Sequence, residues 1–168
     1  DAATGAWAQV QKFVPPDAIA FDTTGYRVAM LDDVIVAAAT GDDHFGTDAG
    51  AAYVLRRIPN SNQWTQETIL RASDGQGFDD FGFSLAISGP LVAVRAPGAG
   101  STYVYDVVSA TPALPVATLF GSDSRWRGVP GNSVAISGTR VVVGDFYEDT
   151  GASAAGSAYI FDLGSDTP

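Results

Sequence analysis

The sequence predicts an all-β protein made of three four-stranded antiparallel units. Three observations lead there. Nineteen glycines and nine prolines punctuate short β-branched runs, a pattern of strands and turns rather than helices. The runs return with a period of about fifty residues. Within each period the same residue types stand at the same place.

Taken in chain order, Tyr26–Leu31, Phe83–Ser88 and Asn132–Ser137 align, with Val28, Leu85 and Val134 separated by 57 and 49 residues. A two-residue turn follows each: Asp32-Asp33, Gly89-Pro90 and Gly138-Thr139. Such turns close hairpins. The next runs are Val34–Ala37, Leu91–Val94 and Arg140–Val143. After a loop of variable length comes an aromatic strand: Ala52–Leu55, Thr102–Tyr105 and Ala158–Phe161. Trp7 and Trp64 are again 57 apart, and Asp17, Asp74 and Asp123 keep both offsets. The units therefore span 7–57, 64–108 and 113–163. In the second, the strands are read at 65–71, 83–88, 91–96 and 102–107. Leu85-x-Ile87 predicts one buried face, and Leu91-Val92-x-Val94 predicts burial on both. Four short strands at this period fit a β-propeller blade. A β-sandwich is the competing architecture, and it gives no reason for threefold repetition.

Composition narrows the function. The 168 residues carry 9 Lys plus Arg against 19 Asp plus Glu, a net charge of −10. A polyanion would be repelled, so no nucleic-acid partner is expected. No apolar run approaches the ~18 residues of a membrane span. Asp1-Ala2-Ala3-Thr4 lacks a basic region followed by an apolar one, so no signal peptide is read there. Without cysteine there is no disulfide, thiolate nucleophile or zinc–thiolate site. Nucleophile-elbow, phosphate-loop and dinucleotide patterns are missing too. His44 is the only histidine, and it reads as a solvent-facing loop residue. The chain is read as non-enzymatic.

Seventeen of the 19 carboxylates are Asp. They gather in equivalent loops. Asp17 and Asp22 precede the first hairpin, and Asp74, Asp79 and Asp80 precede the second. Asp42, Asp43 and Asp48 follow the first hairpin, and Asp145, Glu148 and Asp149 follow the third. Carboxylates crowded in one loop repel unless a cation or arginine joins them. Calcium takes oxygen ligands in tolerant geometry, so a structural calcium ion is expected, best at 42–48 and 74–80 and less well at 145–149. The bland alternative is an acidic turn held by its own backbone. Tyr53, Tyr103 and Tyr159 share one repeated position and read as packing between units; Trp7 and Trp64 read as core. Trp126, flanked by Arg125 and Arg127, breaks the repeat and is the candidate ligand-binding loop, for a sugar or a protein surface.

Phe81-Gly82-Phe83-Ser84-Leu85-Ala86-Ile87-Ser88-Gly89, followed by Ala93-Val94-Arg95-Ala96-Pro97-Gly98, resembles an FG-GAP repeat. The resemblance runs from Trp7 to Leu163. It implies blades like those of integrin alpha subunits and of secreted or surface proteins of microbes, which often bind calcium. The Phe-Gly pair becomes Thr24-Gly25 and Pro130-Gly131 in the other units, and the integrin-type calcium spacing is not spelled out.

Closed propellers have about four to eight blades. Three cannot close, so the single chain is an incomplete propeller with uncovered blade faces. The expected partners are missing blades of a longer chain, a second copy completing a ring, or copies joined head to tail in a filament. The sequence reading is a secreted or cell-surface structural and adhesive protein that self-assembles. A carbohydrate- or protein-binding module is the alternative, and an accessory domain of a secreted enzyme a remote one. No Asn-x-Ser/Thr sequon occurs at Asn60, Asn62 or Asn132, while O-linked sugar on 109–115 stays open.

Overall fold

The computed structural model describes residues 5, 7–121, 133–147, 151–153 and 155–165. They form eleven strands and no helix. Sheet one is the meander β1 (Val28–Leu31), β2 (Val34–Ala39), β3 (Ala51–Arg57) and β4 (Trp64–Leu70). Sheet two repeats it with β5 (Ser84–Ser88), β6 (Leu91–Ala96), β7 (Ser101–Asp106) and β8 (Pro115–Phe120). Sheet three holds β9 (Ser133–Ser137), β10 (Arg140–Asp145) and β11 (Ser157–Asp162). All pairs are antiparallel. The all-β, blade-type architecture read from the sequence is the one observed, and the sheets do not close on themselves.

The first hairpin of each sheet has a two-residue loop whose first residue alone has positive φ: Asp32 at 50°, Gly89 at 55° and Gly138 at 57°. This is the II′ pattern, whose twist suits antiparallel strands. Pro90 fits because only the first position needs positive φ. The hairpins stand side by side at β1, β5 and β9. Ser84 Oγ accepts the Val134 N–H at 3.1 Å and Ser88 Oγ accepts the Gly138 N–H at 3.0 Å, tying β9 to β5.

The fourth strand departs from the sequence reading. Strand 64–70, assigned by repeat phase to the second unit, pairs with β3 and completes sheet one. Strand 115–120 likewise completes sheet two. Sheets one and two thus take three strands from one unit and the outer strand from the next. The reason is connection length. β3 reaches β4 through the short loop 58–63, whereas β4 reaches β5 through 71–83, and short antiparallel connections make neighbours. The two joins match in detail: Ala52↔Leu70 and Val54↔Thr68 correspond to Thr102↔Leu119 and Val104↔Ala117, with a register shift at the next residue in both.

Residues 7–13, equivalent to 64–70, form no strand. Val10, Gln11 and Phe13 lie over the outer face of sheet one, around an apolar cavity of about 330 Å³ floored by Val28, Ile35, Ala37 and Leu55. The Gln11 amide donates to the Trp64 carbonyl at 2.9 Å and accepts its N–H at 2.7 Å. Trp7, expected in the core, is 100% exposed, because the strand that would pair it is not there.

The core is two layers between sheets. Val36, Val54 and Leu70 of sheet one meet Phe81 of the 71–83 connection and Val92, Val94, Tyr103 and Tyr105 of sheet two. Ala93, Val104 and Leu119 of sheet two meet Val141 and Val143 of sheet three. Val92, Ala93 and Val94 are all fully buried, as the run Leu91–Val94 predicts. Each buried valine contributes about 1.5–3 kcal/mol.

Glycine permits the closest loop contacts. A Cβ on Gly41 would run into the Phe21 carbonyl, and one on Gly98 into the Phe78 carbonyl and to 2.7 Å from Asp79 Cα. Gly98→Ala is therefore expected to cost about 2–3 kcal/mol and to lower Tm by ~5–10 °C in a thermal melt; an unchanged Tm would mean that this loop contact is slack.

Candidate functional site

The acidic loops 42–48 and 74–80 lie together at the seam between sheets one and two. The loops before sheets one and two share one geometry, displaced by 57 residues. Asp22 Oδ2 accepts the Ile19 N–H at 2.7 Å, and Asp79 Oδ2 accepts the Gln76 N–H at 2.7 Å. Phe21 and Phe78 have φ of 76° and 66°, and Thr23 and Asp80 have 57° and 53°. Positive φ is costly for a bulky residue, so the same unusual turn is imposed twice by the same capping carboxylate. Both phenylalanines point to solvent, 89% and 67% exposed.

The repeated tyrosines meet the repeated aspartates. Tyr103 Oη donates to Asp74 Oδ1 at 2.6 Å. Tyr53 Oη stands 3.2 Å from Asp17 Oδ1 and 3.3 Å from Asp42 Oδ2. Burial, reinforced by these carboxylates, pushes both phenols well above their usual range and keeps them as donors. Tyr103 packs between sheets one and two, as expected, while Tyr53 packs on the outer face of sheet one against Phe13 and Ile69; both hold the acidic loops. Tyr105 Oη donates to the Arg71 carbonyl at 2.7 Å.

Asp42 is the best-supported acid of its loop. It is buried, its Oδ1 accepts the His44 N–H at 3.2 Å, and Arg71 reaches it at 3.1 Å through Nη2 and 3.3 Å through Nε. Arg71 also stands 3.6 Å from Asp17. Asp17, Asp22, Asp42, Asp43, His44 and Arg71 rim a cavity of about 230 Å³. Asp43 Oδ1 accepts the Asp48 N–H at 2.9 Å. Asp145 is buried at the end of β10, and its Oδ1 accepts the Tyr147 N–H at 3.0 Å, as Asp42 does for His44. His44 is exposed, with its ring 4.8 Å from Phe45.

Main-chain bonds join the 42–48 and 74–80 loops. The Phe78, Asp80 and Phe81 N–H groups donate to the carbonyls of Thr47, Asp48 and Ala49 at 2.7, 3.0 and 3.0 Å. This brings Asp48, Asp79 and Asp80 together. Burial and then the negative charges of Asp48 and Asp79 raise the Asp80 carboxyl above its ordinary range.

Arg95 had no place among the predicted site residues. Its side chain is fully buried, and Nη1 donates to the Ser101 carbonyl at 2.6 Å and the Ala96 carbonyl at 3.2 Å. Burial lowers its pKa to about 10, against the pull of Asp145, so it is charged at neutral pH. The signal was an arginine where the other units have Ala38 and Gly144. Arg71, Asp17 and Asp22 were likewise missed as one group, because only folding brings 17–22, 42–44 and 71 to one rim. Trp126, Arg125, Arg127, Glu148 and Asp149 lie outside the described residues.

Calcium needs about six to eight oxygens. Asp42, Asp43, Asp74, Asp79 and Asp145 hold protein partners in this geometry. Among the described residues no group of three or more His, Asp or Glu side chains is arranged as a metal cage. Asp48, Asp79 and Asp80 are the set whose charges bear on one another.

The meandering sheets, their face-to-face stacking and the duplicated loops define an integrin-like β-propeller module. FG-GAP repeat models match residues 7–55, 64–105 and 116–161, well over half of the sequence, and the chain belongs to the FG-GAP repeat family. Comparison with curated proteins gives no match. Among the described residues no helix is long and apolar enough to cross a membrane.

A carboxyl whose folded pKa is raised is penalised when charged, so its contribution to stability falls as pH rises from the ordinary carboxylate pKa through the raised one. Asp80→Asn keeps the tolerated positive φ and removes that charge. In calcium-free buffer it is expected to raise Tm by ~1–3 °C at pH 7, with the gain shrinking on acidification below the raised pKa. A lower Tm at pH 7 would show that the ionised carboxylate is held by a partner.

Proposed function

We propose that this chain is a non-enzymatic extracellular structural and adhesive module that assembles blade to blade with further copies. One observation carries the reading. Ile160, at the position of fully buried Val54 and Val104, is 73% exposed on the outer face of sheet three. On the outer face of sheet one, Val28 and Met30 are 67% and 61% exposed. These two faces are the counterparts of the surfaces that meet between sheets one and two and between sheets two and three. Apolar faces of this kind mark interaction surfaces. The location outside the cell is supported by the family, whose repeats are typical of extracellular and surface proteins.

Particle mass by light scattering, with shape by electron microscopy, tests this. The expected result is concentration-dependent oligomers, as rings or fibres; a 17 kDa monomer at every concentration would overturn it. A structural calcium ion is a separate part of the proposal and rests on Asp48, Asp79 and Asp80, where a divalent cation would offset the negative charges of Asp48 and Asp79 that add to burial in raising the Asp80 carboxyl. Calcium is expected to raise Tm, and chelator or Asp80→Asn to remove that rise. An identical Tm with calcium and with chelator would leave these loops as acidic turns.

A further inference from the structure

We propose that the cavity at the loop end of sheet one, between the 17–22 and 42–44 loops, binds a primary ammonium group. The proposal is independent of whether the chain assembles.

The cavity holds about 230 Å³. Asp17, Ile19 and Asp22 come from the loop before β1, Asp42 and Asp43 from the loop after β2, and Arg71 from just beyond β4. One of its walls has an unmet demand. Asp22 is 4% exposed. Its Oδ2 accepts the Ile19 N–H, while its Oδ1 is buried with no hydrogen-bond partner. A carboxylate oxygen kept from water and left unbonded costs free energy, and native proteins rarely leave one without a reason. Capping the turn needs one oxygen of Asp22; the other is left for a ligand.

The charge of the walls fixes the sign of that ligand. Four carboxylates share the cavity with one guanidinium. Arg71 is already committed, to Asp42 at 3.1 and 3.3 Å and to Asp17 at 3.6 Å. Lys12, the only lysine, lines a neighbouring cavity that shares Ile19 and Asp22, yet it does not reach Asp22 Oδ1. A cation is therefore attracted and an anion repelled.

The pattern of free oxygens fixes the kind of cation. Calcium needs about six to eight oxygens. Both oxygens of Asp42 are taken by Arg71, Tyr53 and the His44 N–H, and among the described residues no three acids form a metal cage. A guanidinium pairs best across both oxygens of one carboxylate, and Asp22 has one to give. A primary ammonium carries three donors on one atom and takes single oxygens from separate carboxylates. Asp22 Oδ1 is the inner acceptor, and Asp17 and Asp43 are exposed at the rim. Ile19 offers an apolar wall to the methylenes behind the head. A lysine side chain of a partner protein and a small free alkylamine present this head alike.

The full isotope-labelled chain, in calcium-free buffer, is titrated with n-butylammonium chloride against sodium chloride of equal ionic strength and followed by amide chemical shifts. Saturable binding is expected, with shifts confined to 17–22, 42–44 and 71. Asp22→Asn keeps an oxygen for the Ile19 N–H and puts an amide NH2 in place of Oδ1; it is expected to weaken binding at least about tenfold. Asp33→Asn, in the β1–β2 turn at the other end of the sheet, removes the same charge and is expected to leave binding unchanged. If Asp22→Asn does not fold, the shift map of the unmodified chain decides. Shifts spread over all the acidic loops, or reproduced by sodium, would overturn the site, as would full affinity in a folded Asp22→Asn chain. Equal affinity for n-butylguanidinium, or displacement of butylammonium by calcium, would overturn the choice of an ammonium. The blocked peptide acetyl-Gly-Lys-Gly-amide separates the two sources. Tighter binding of the peptide identifies a lysine of a partner protein, and tighter binding of butylammonium a free amine.

Discussion

A sheet with apolar side chains on both faces has to be covered twice, and every other feature of this molecule answers to that requirement. Sheet two meets it fully, with Val92, Ala93, Val94, Tyr103, Val104 and Tyr105 removed from water by sheets one and three. Sheets one and three each have one neighbour. Sheet one supplements its neighbour with residues 10–13, and sheet three leaves Ile160 in solvent. Strands β9 and β11 accordingly alternate between half-buried and exposed positions, where β6 and β7 are buried almost throughout.

The acidic loops follow from the same stacking. Face-to-face sheets bring their loop ends together, and aspartate satisfies backbone donors there with a short side chain. Asp22 and Asp79 cap one turn, Asp42 and Asp145 another. Tyr53 and Tyr103 then hold the loops to the sheets. Arg71 sits beside Asp17 and Asp42, and Arg95 inside the seam, so the two arginines nearest these loops balance part of their negative charge. Where Asp48, Asp79 and Asp80 meet, burial first and then the neighbouring negative charges raise the Asp80 carboxyl.

The strands and their hairpins were legible in the sequence because they are set locally. The runs 34–37, 91–94 and 140–143, their two-residue turns and the aromatic strands all stand where the pattern places them. Residue types at repeated positions also predicted which carboxylates would be equivalent. Their partners were not legible. Asp74 gives no sign along the chain that it accepts from Tyr103, 29 residues away, and the cavity rim draws on three separate loops. The burial of Arg95 was hidden for the same reason: an arginine in an otherwise apolar strand reads as an exposed position until its carbonyl acceptors are seen.

By itself the sequence determined the all-β class, the threefold repeat and the turn chemistry, since each depends on residues close in the chain. Only the tertiary structure decided which sheet each outer strand joins, where residues 7–13 lie and which side chains answer the aspartates. Those outcomes depend on strand pairing and on faces meeting across space. Strands 64–70 and 115–120 could extend the sheet on either side of them in sequence, and the shorter hairpin loop settled it.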